Sequence, residues 1–379
     1  MRVTHLASGD LWAGAENQLH NLVLGLQRTQ VDVDVILLNE GLLAERLRQA
    51  GVMVTVYAEN ELSGLALLTT IRRHLVARGT GILHTHRYKE NVLGAFAAAL
   101  TSGARSTRTL HGAPEFHSRF WQLHKSVPQW LDWVTARFLQ FPIVCVSAEL
   151  RDRCARSLPT RRLKVVPNGV DIERLRESAT EAVGGLPIGA RHFRVGFFGR
   201  LTTVKRVDVI LEVASVLERE SPGQFGVYLF GDGPLRSDLE EKVRALNLEA
   251  MVHFMGFTTR PAPWLRMMNT LLLTSDHEGL PMIVLEAMAL GVPVVSHAVG
   301  AIPEVLCTGS LGTLISNQDP SQYARAIVAL RDAPDAARAQ AVRAAQYVAA
   351  RYSAEHSVQE YVSIYRALRR TRNSASASA

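Results

Sequence analysis

Val3-Thr-His-Leu-Ala7, a helix-patterned stretch from Ala15 to Arg28, and then Val33-Asp-Val-Ile-Leu-Leu38 decide the fold of this chain. Two apolar runs of strand length stand apart by more than a hairpin can bridge, so the second strand runs parallel to the first across a helical crossover. The rhythm continues outward with a helix from about Leu42, then Val52 to Tyr57, Gly81 to His84, Thr107 to His111 and Ile143 to Val146. Strands alternating with helices specify an α/β domain whose parallel sheet is covered on both faces. After Val165-Val-Pro-Asn-Gly-Val-Asp171 the periodicity lapses through a stretch holding Gly184, Gly185, Pro187 and Gly189, which reads as a linker. It restarts with Arg194 to Phe198, Gly226 to Phe230, Val252 to Phe254, Leu271 to Thr274 and Val292 to Ser296. The expected organisation is therefore an N-terminal α/β domain over 1–172, a linker over 173–190, a second α/β domain over 191–352, a C-terminal helix over 353–370 able to pack back on the first domain, and a disordered tail over 371–379. Two doubly wound domains facing a cleft hold ligands at the carboxyl ends of their strands.

With 379 residues, 47% of them hydrophobic and 20% charged, the chain can bury two cores and lacks the composition of disorder. Cys145, Cys154 and Cys307 are scattered and odd in number, which excludes a disulfide framework and points to a reducing cytoplasm. Met1 to Ala7 is too short an apolar run for a signal peptide, and no stretch approaches the roughly 18 apolar residues of a membrane span. Lys plus Arg exceed Asp plus Glu by 42 to 35, a net charge of +7 that suits anionic partners: a nucleotide sugar, a membrane surface or nucleic acid.

Several local patterns carry less than they suggest. Ser8-Gly-Asp-Leu-Trp-Ala-Gly-Ala-Glu16 has the glycine spacing of a P-loop, but Ala15-Glu16 replace the lysine and hydroxyl that phosphate and metal require. What survives is either a plain strand-to-helix turn or a helix N-terminus whose free amides at Gly14 suit an anion. Gly231-Asp-Gly-Pro-Leu-Arg236 lacks the third glycine of a dinucleotide fingerprint, and Pro234 in a first helical turn accounts for it. Asp32-Val-Asp34 reads as solvated strand-edge carboxylates. His84-Thr-His86 places two imidazoles on one strand face without a third ligand at recognisable spacing, so no metal is expected.

The strongest signal is Ser275-Asp-His-Glu-Gly-Leu-Pro-Met-Ile-Val-Leu-Glu286, directly after an apolar strand. Gly279 permits a tight turn, Pro281 pre-sets a helix start, and Glu286 falls just over one turn into that helix among Val284, Leu285, Ala287 and Met288. A charge in such company is costly unless used. Two carboxylates there, Glu278 and Glu286, can grip vicinal hydroxyls while amides hold phosphate. Phe198-Gly-Arg-Leu-Thr-Thr-Val-Lys205 brings Arg200 and Lys205 to the end of another strand, where a guanidinium can bind phosphate bidentately and an ammonium adds a point charge. Phe257 is the candidate to stack on a nucleobase.

These segments, with Ala13-Gly-Ala-Glu16, Val146-Ser147 and Val166-Pro-Asn-Gly-Val-Asp171, resemble the retaining glycosyltransferases of sequence family 4, from about Met1 to Arg370. The resemblance implies the GT-B architecture and transfer of a sugar from a nucleotide sugar, a UDP-sugar foremost, to a saccharide or lipid-linked saccharide acceptor. It assigns the donor diphosphate to Gly14, Arg200, Lys205, Gly279 and Leu280, the donor sugar to Glu278 and His111, the ribose to Glu286, and the catalytic roles to Glu278, His111, Lys205 and Arg200. The family commonly has glycine where Ala13 stands, which narrows that loop's freedom here. Cations and amides would meet the charge developing on the leaving diphosphate, so neither metal nor cofactor is expected. With no carboxylate nucleophile apparent, the resemblance implies front-face attack.

Competing expectations are a sugar-nucleotide epimerase of the same fold and, from the net charge, a nucleic-acid-binding protein, although no recognition-helix, finger or RNP-type motif is present. A phosphorylase of the glycogen type would need a longer chain and a cofactor lysine. Phe116 to Phe141 holds Trp121, Trp130 and Trp133 among Arg119, His124, Lys125 and Arg137. After a break at Pro128, Trp130, Trp133, Val134, Phe138 and Phe141 recur at helical spacing. The plain account packs this stripe into the first domain; the alternative rests it among anionic headgroups of the inner leaflet.

Overall fold

A computed structural model describes residues 1–10, 12–112, 123–187 and 192–376, with the backbone alone for 123–127 and 371–376. The chain divides into two units, Met1–Gly169 with Ala354–Ala379, and Val170–Ser353.

In the first unit the strands are β1 (Arg2–Ala7), β2 (Asp32–Leu37), β3 (Met53–Val56), β4 (Ile82–Thr85), β5 (Arg105–Leu110), β6 (Gln140–Cys145) and β7 (Leu163–Val165). They form one parallel sheet in the order β3-β2-β1-β4-β5-β6-β7. Between them run α1 (Gly14–Gln27), α2 (Leu42–Gln49), α3 (Gly64–Arg78), α4 (Tyr88–Ala99), α5 (Leu123–Val134) and α6 (Ala148–Cys154). Side-chain caps set several starts: Ser63 accepts from the Ala66 amide at 3.3 Å and Ser147 from Leu150 at 3.1 Å. Along β1 only Arg2 is other than buried, as expected for a central parallel strand.

The second unit holds α7 (Ile172–Ser178), β8 (Phe193–Phe198), α8 (Val207–Glu220), β9 (Phe225–Phe230), α9 (Arg236–Ala245), β10 (Val252–Gly256), α10 (Pro261–Arg266), β11 (Thr270–Leu273), α11 (Met282–Ala289), β12 (Val294–His297), α12 (Ile302–Val305), β13 (Thr313–Ile315), α13 (Pro320–Asp332) and α14 (Pro334–Arg351). Its parallel sheet has the order β10-β9-β8-β11-β12-β13. The last helix, α15 (Ala354–Ser376), belongs to the first unit. Val358, Tyr361, Val362, Tyr365 and Leu368 join Leu19, Leu22, Val23 and Leu26 of α1 in one core.

Several expectations change. Helix Ile172–Ser178 runs from the last residue of the expected first domain into the expected linker, with Asp171 capping the Arg174 amide at 3.1 Å. Residues 371–376 are helical instead of a disordered tail, because extending a formed helix needs no new nucleation. Strands β7 and β13 have three residues each, too few to show an alternation. Pro128 does not break the aromatic helix; proline's fixed φ is itself helical, and Asp132 anchors the far side on buried Arg108 at 2.6 Å. Phe141 lies on β6, so the stripe is not one helical face. Pro234 precedes α9, with Leu235 at its N-cap, and Pro281 is the N-cap of α11, so neither proline stands inside its helix.

Candidate active site

In each sheet the chain reverses direction of growth beside its central strand, between β1 and β4 in the first unit and between β8 and β11 in the second. Ligands of open α/β sheets bind outside the carboxyl ends at such points, where the flanking loops diverge.

In the second unit the loops after β8 and β11 are those that carry Arg200, Lys205 and Glu278. Glu278 is 8% exposed, and its Oε1 accepts from Lys205 Nζ at 2.6 Å and from Ser275 Oγ at 2.7 Å. Two stitches hold the loops together: the Asp276 amide donates to the Val204 carbonyl at 2.9 Å, and Thr274 Oγ1 donates to the carbonyl of Arg206 at 2.8 Å. Arg206 adopts a left-handed φ of 48° while pairing with Asp208 at 3.0 Å and Asp276 at 3.3 Å, strain that a non-glycine residue accepts only where its surroundings fix it. Arg200 is exposed, with no ion pair among the described residues. His297 Nδ1 donates to the Ser275 carbonyl at 2.8 Å.

Two glycines shape this end of the sheet. A Cβ on Gly231, at φ 144°, would stand 1.9 Å from the Gly199 carbonyl oxygen, and the Leu201 amide donates to the Asp232 carbonyl at 3.0 Å. Gly231-Asp-Gly233 is thus a buttress under the Arg200 loop. Gly300, at φ 56°, would place a Cβ 1.9 Å from the Glu278 carbonyl oxygen, and the Ala301 amide donates to the Gly279 carbonyl at 3.1 Å. Gly300 escapes sequence reasoning because only the fold brings the loop after β12 beside Glu278. Gly279 and Leu280 complete the turn, and Glu286 is 6% exposed within α11. Phe257 follows edge strand β10, two places from β8 in the sheet order, and is exposed.

In the first unit α1 begins at Gly14, at the carboxyl end of β1. The Ala13 amide donates to the Glu16 carboxylate at 3.2 Å, and buried Glu16 pairs with Arg87 at 2.5 Å, which also stands 3.6 Å from Asp10. Burial raises the Glu16 pKa and Arg87 opposes the rise. Arg87 has no motif around it; its place just after β4 could be found only from the strand order.

His111 directly follows β5. His86 Nδ1 lies 3.2 Å from His111 Nε2, and His86 Nε2 lies 2.9 Å from His5 Nδ1. His84 bonds Tyr365 through Nδ1 at 2.6 Å and Thr109 through Nε2 at 2.8 Å. The third imidazole that the His84-Thr-His86 spacing lacks is therefore His5, opposite His84 in the β1–β4 register, with one ring nitrogen of each of the three within 4.8 Å of the others. Five of these six nitrogens are engaged in hydrogen bonds, one joining His5 to His86 and the others leading out to Tyr365, Thr109 and His111. Burial, the leading cause throughout, holds His5 down to about 3, His111 to about 4 and His84 and His86 well below the usual imidazole range, so all four rings are neutral.

Asp32 is exposed and pairs with Arg2, but Asp34 is fully buried inside the sheet, accepting from Thr4 at 3.0 Å and from His74 at 2.8 Å. The solvated reading therefore fails for Asp34. Trp130 is 60% exposed, Trp133 41%, Phe138 60% and Phe141 44%, with Arg137 5.1 Å over Phe138 and Arg162 5.7 Å over Phe141. These side chains do not pack into the core, contrary to the plain account of the stripe: π-helical Thr135–Leu139 rotates Phe138 outward while buried Arg108 holds Asp132 and Thr135 on the inner side. Phe116, Arg119 and Trp121, and the side chains of His124 and Lys125, fall outside the described residues. No helix among the described residues is long and apolar enough to cross a membrane.

Residues 192–332 match the family model described as Glycosyl transferases group 1, and residues 12–174 match that of Glycosyltransferase Family 4. The chain is 26% identical over 304 residues to a putative glycosyltransferase, EpsF, of Bacillus subtilis (strain 168), covering 77% of this chain and 78% of that one. It is 25% identical over 342 residues to the UDP-Gal:alpha-D-GlcNAc-diphosphoundecaprenol alpha-1,3-galactosyltransferase of Escherichia coli, covering 84% and 87%. The crystal structure of Anabaena HepE in complex with UDP and glucose matches with a TM-score of 0.82 at 20% identity, over 96% of this chain and 98% of that one, and shares its GT-B fold.

Proposed function

This chain belongs to the glycosyltransferases of family 4, and from that premise we propose that it moves a sugar from a UDP-sugar to a saccharide or lipid-linked saccharide, with retention and without a metal. The observation that carries this reading is the Lys205–Glu278–Ser275 cluster at the switch point of the second sheet. A carboxylate whose Oε1 is saturated by a cation and a hydroxyl keeps Oε2 for a sugar hydroxyl, while the cation stands where a phosphate oxygen can claim it. The uridine donor and the lipid-linked acceptor are supported by the Escherichia coli relative's name and the UDP bound in the fold's neighbour.

Breaking the bond between sugar and diphosphate leaves positive charge on the ring and negative charge on the departing oxygen. Lys205, exposed Arg200 and the amides of Gly279 and Leu280 stabilise that oxygen, and fixed donors cost no reorganisation when the charge appears. Glu278 holds the sugar and Glu286 the ribose. The departing phosphate takes the acceptor's proton on the same face, which gives retention without a protein nucleophile.

The exposed Trp130, Trp133, Phe138 and Phe141 with Arg137 and Arg162 give the first unit an apolar, cationic surface that suits anionic headgroups, where a lipid-linked acceptor would be found. The protein then works in the cytoplasm at the inner face of the membrane.

A thermal-shift and turnover screen of UDP-, GDP- and ADP-sugars tests the donor, with and without excess chelator. Stabilisation by UDP-sugars and chelator-resistant turnover are expected. Product formed without any acceptor sugar or water consumed would mark an epimerase instead, and activity lost to chelator would overturn the metal-free reading.

A further inference from the structure

We propose that His297, the last residue of β12, and Gln318, from the loop after β13, are positioning residues for Glu278: together they hold the Ser275 and Thr274 carbonyls and so aim the Ser275 hydroxyl at that carboxylate. The functional half of this inference rests on the reading of Glu278 as the holder of the donor sugar; the brace itself rests on geometry within the second unit alone.

Thr274 and Ser275 follow β11 and are buried. One side of this turn is tied to the loop after β8: Thr274 Oγ1 reaches the carbonyl oxygens of Lys205 at 3.1 Å and Arg206 at 2.8 Å, and the Asp276 amide donates to the Val204 carbonyl. His297 and Gln318 close the other side. β11 pairs with β12 through Leu273 and Ser296, so His297 comes level with Thr274. Its Nδ1 lies 2.8 Å from the Ser275 carbonyl oxygen and 3.0 Å from Gln318 Nε2. Gln318 Nε2 in turn lies 2.8 Å from the Thr274 carbonyl oxygen and 3.2 Å from Asp276 Oδ1. Asp319 caps α13 by accepting from the Ser321 amide at 3.0 Å, which fixes the backbone beside Gln318.

Counting protons leaves one arrangement. The Thr274 carbonyl and the Asp276 carboxylate only accept, and the Gln318 amide has two N–H groups, one for each. The Ser275 carbonyl also only accepts, so the proton between it and His297 sits on Nδ1; a lone pair there would face the carbonyl's own at 2.8 Å. Neutral His297 is therefore the Nδ1–H tautomer. Gln318 Oε1 is buried without a partner among the described residues. Turning the amide over to satisfy it would set that oxygen against two others, so the acceptors of the turn hold the amide in place. Ser275, whose Oγ donates to Glu278 Oε1 at 2.7 Å, thus has its backbone fixed from both sides. Were that backbone free to shift, Glu278 would keep Lys205 and lose the hydroxyl that completes Oε1.

Long-range proton–nitrogen correlation spectra of the full chain labelled with nitrogen-15 histidine, with His297→Asn for assignment, read the tautomer directly. Neutral His297 is expected as Nδ1–H, against the Nε2–H form that free histidine prefers. His297→Leu, which cannot donate, should lower kcat/KM for UDP-sugar hydrolysis without acceptor about tenfold, the worth of one hydrogen bond, and Gln318→Met should do the same. Affinity for UDP alone should hold in both, because UDP offers no sugar to Glu278, whereas a general loosening of the fold would weaken both ligands. His297→Asn, whose amide N–H can stand where Nδ1–H stood, should restore most of the turnover. An Nε2–H ring in the wild type would overturn the brace. Wild-type kcat/KM in His297→Leu, or UDP affinity lost in step with turnover, would overturn the positioning role. Should His297→Leu not fold, wild-type kcat/KM in Gln318→Met overturns it instead. Glu278→Gln with wild-type kcat/KM, or an Nδ1–H ring in a protein that turns over no UDP-sugar, would sink the donor-sugar reading and leave the brace standing.

Discussion

Gly14→Ala separates a ligand-facing glycine from a structural one. An ideal Cβ at Gly14 meets nothing within 4 Å, and the residue is not in the left-handed region, so the fold has no need of glycine there. Alanine at the first position of α1 should leave stability unchanged or raise it by less than about 1 kcal/mol, the helix-propensity difference in full, so the melting temperature moves by at most about 4 °C. If the donor diphosphate closes on this amide, the new methyl stands in its way and forfeits a charge-assisted hydrogen bond of about 1.5–3 kcal/mol, or roughly 10- to 150-fold in kcat/KM. The assay pairs thermal melts of the apo protein with UDP-sugar kinetics and with the thermal shift given by UDP. Gly300→Ala is the contrasting control: its Cβ would lie 1.9 Å from a carbonyl oxygen at a left-handed φ, so stability and turnover should fall together. A Gly14→Ala enzyme with wild-type KM and wild-type stabilisation by UDP would refute the placing of diphosphate on this helix start.

Lys205→Met and Glu278→Gln should each cost about 2 kcal/mol of stability, between the values for exposed and buried pairs, because Lys205 is a quarter exposed. The double variant should recover much of that stability and none of the turnover; recovered turnover would make the pair a mere strut. Burial raises Glu90 from 4.5 to about 7, a folded value above the unfolded one, so its penalty is absent below pH 4.5 and complete above about pH 7. Glu90→Gln should therefore stabilise the first unit by about 3 kcal/mol at pH 8 and not at pH 4.5, checked by thermal melts at both; equal shifts would refute the assignment. Wild-type protein should co-sediment with anionic vesicles at low salt and less at high salt, and Trp130→Ser/Trp133→Ser should lose that binding. Salt-independent or unchanged binding would remove the headgroup reading.

What the sequence disclosed depended on how the chemistry is spread along it. The alternation of strands and helices is a property of neighbours in the chain, so both sheets and most strands were legible, and only three-residue β7 and β13 fell below the length a pattern needs. The segments after β8 and β11 each hold their charged groups within a few residues, which is why Arg200, Lys205, Glu278 and Glu286 could be named from the sequence, and of these Lys205 and Glu278 meet at 2.6 Å. Gly300, lying beside Glu278 from the loop after β12, shows the limit even there.

The first unit hides its buried polar cluster for the opposite reason. Glu16, Arg87, His86, His5 and His111 lie on or just after three separate strands, β1, β4 and β5, and what joins them is lateral register, with His5 opposite His84 across β1 and β4. In a parallel sheet adjacent strands are separated by whole crossover helices, so no fixed spacing marks such neighbours, and strand order has no local residue signature. The same blindness explains Asp34, which looks like a solvated carboxylate along the chain and becomes a buried acceptor once Thr4 and His74 close on it from β1 and α3. A polar residue inside an apolar strand is a prediction of a partner on the next strand rather than of solvent, since an unpaired buried charge costs more than the strand's packing returns. On that rule His5, His84 and Asp34 each ask in the sequence for a partner from a neighbouring strand, although only the sheet order supplies His86, Thr109 and Thr4.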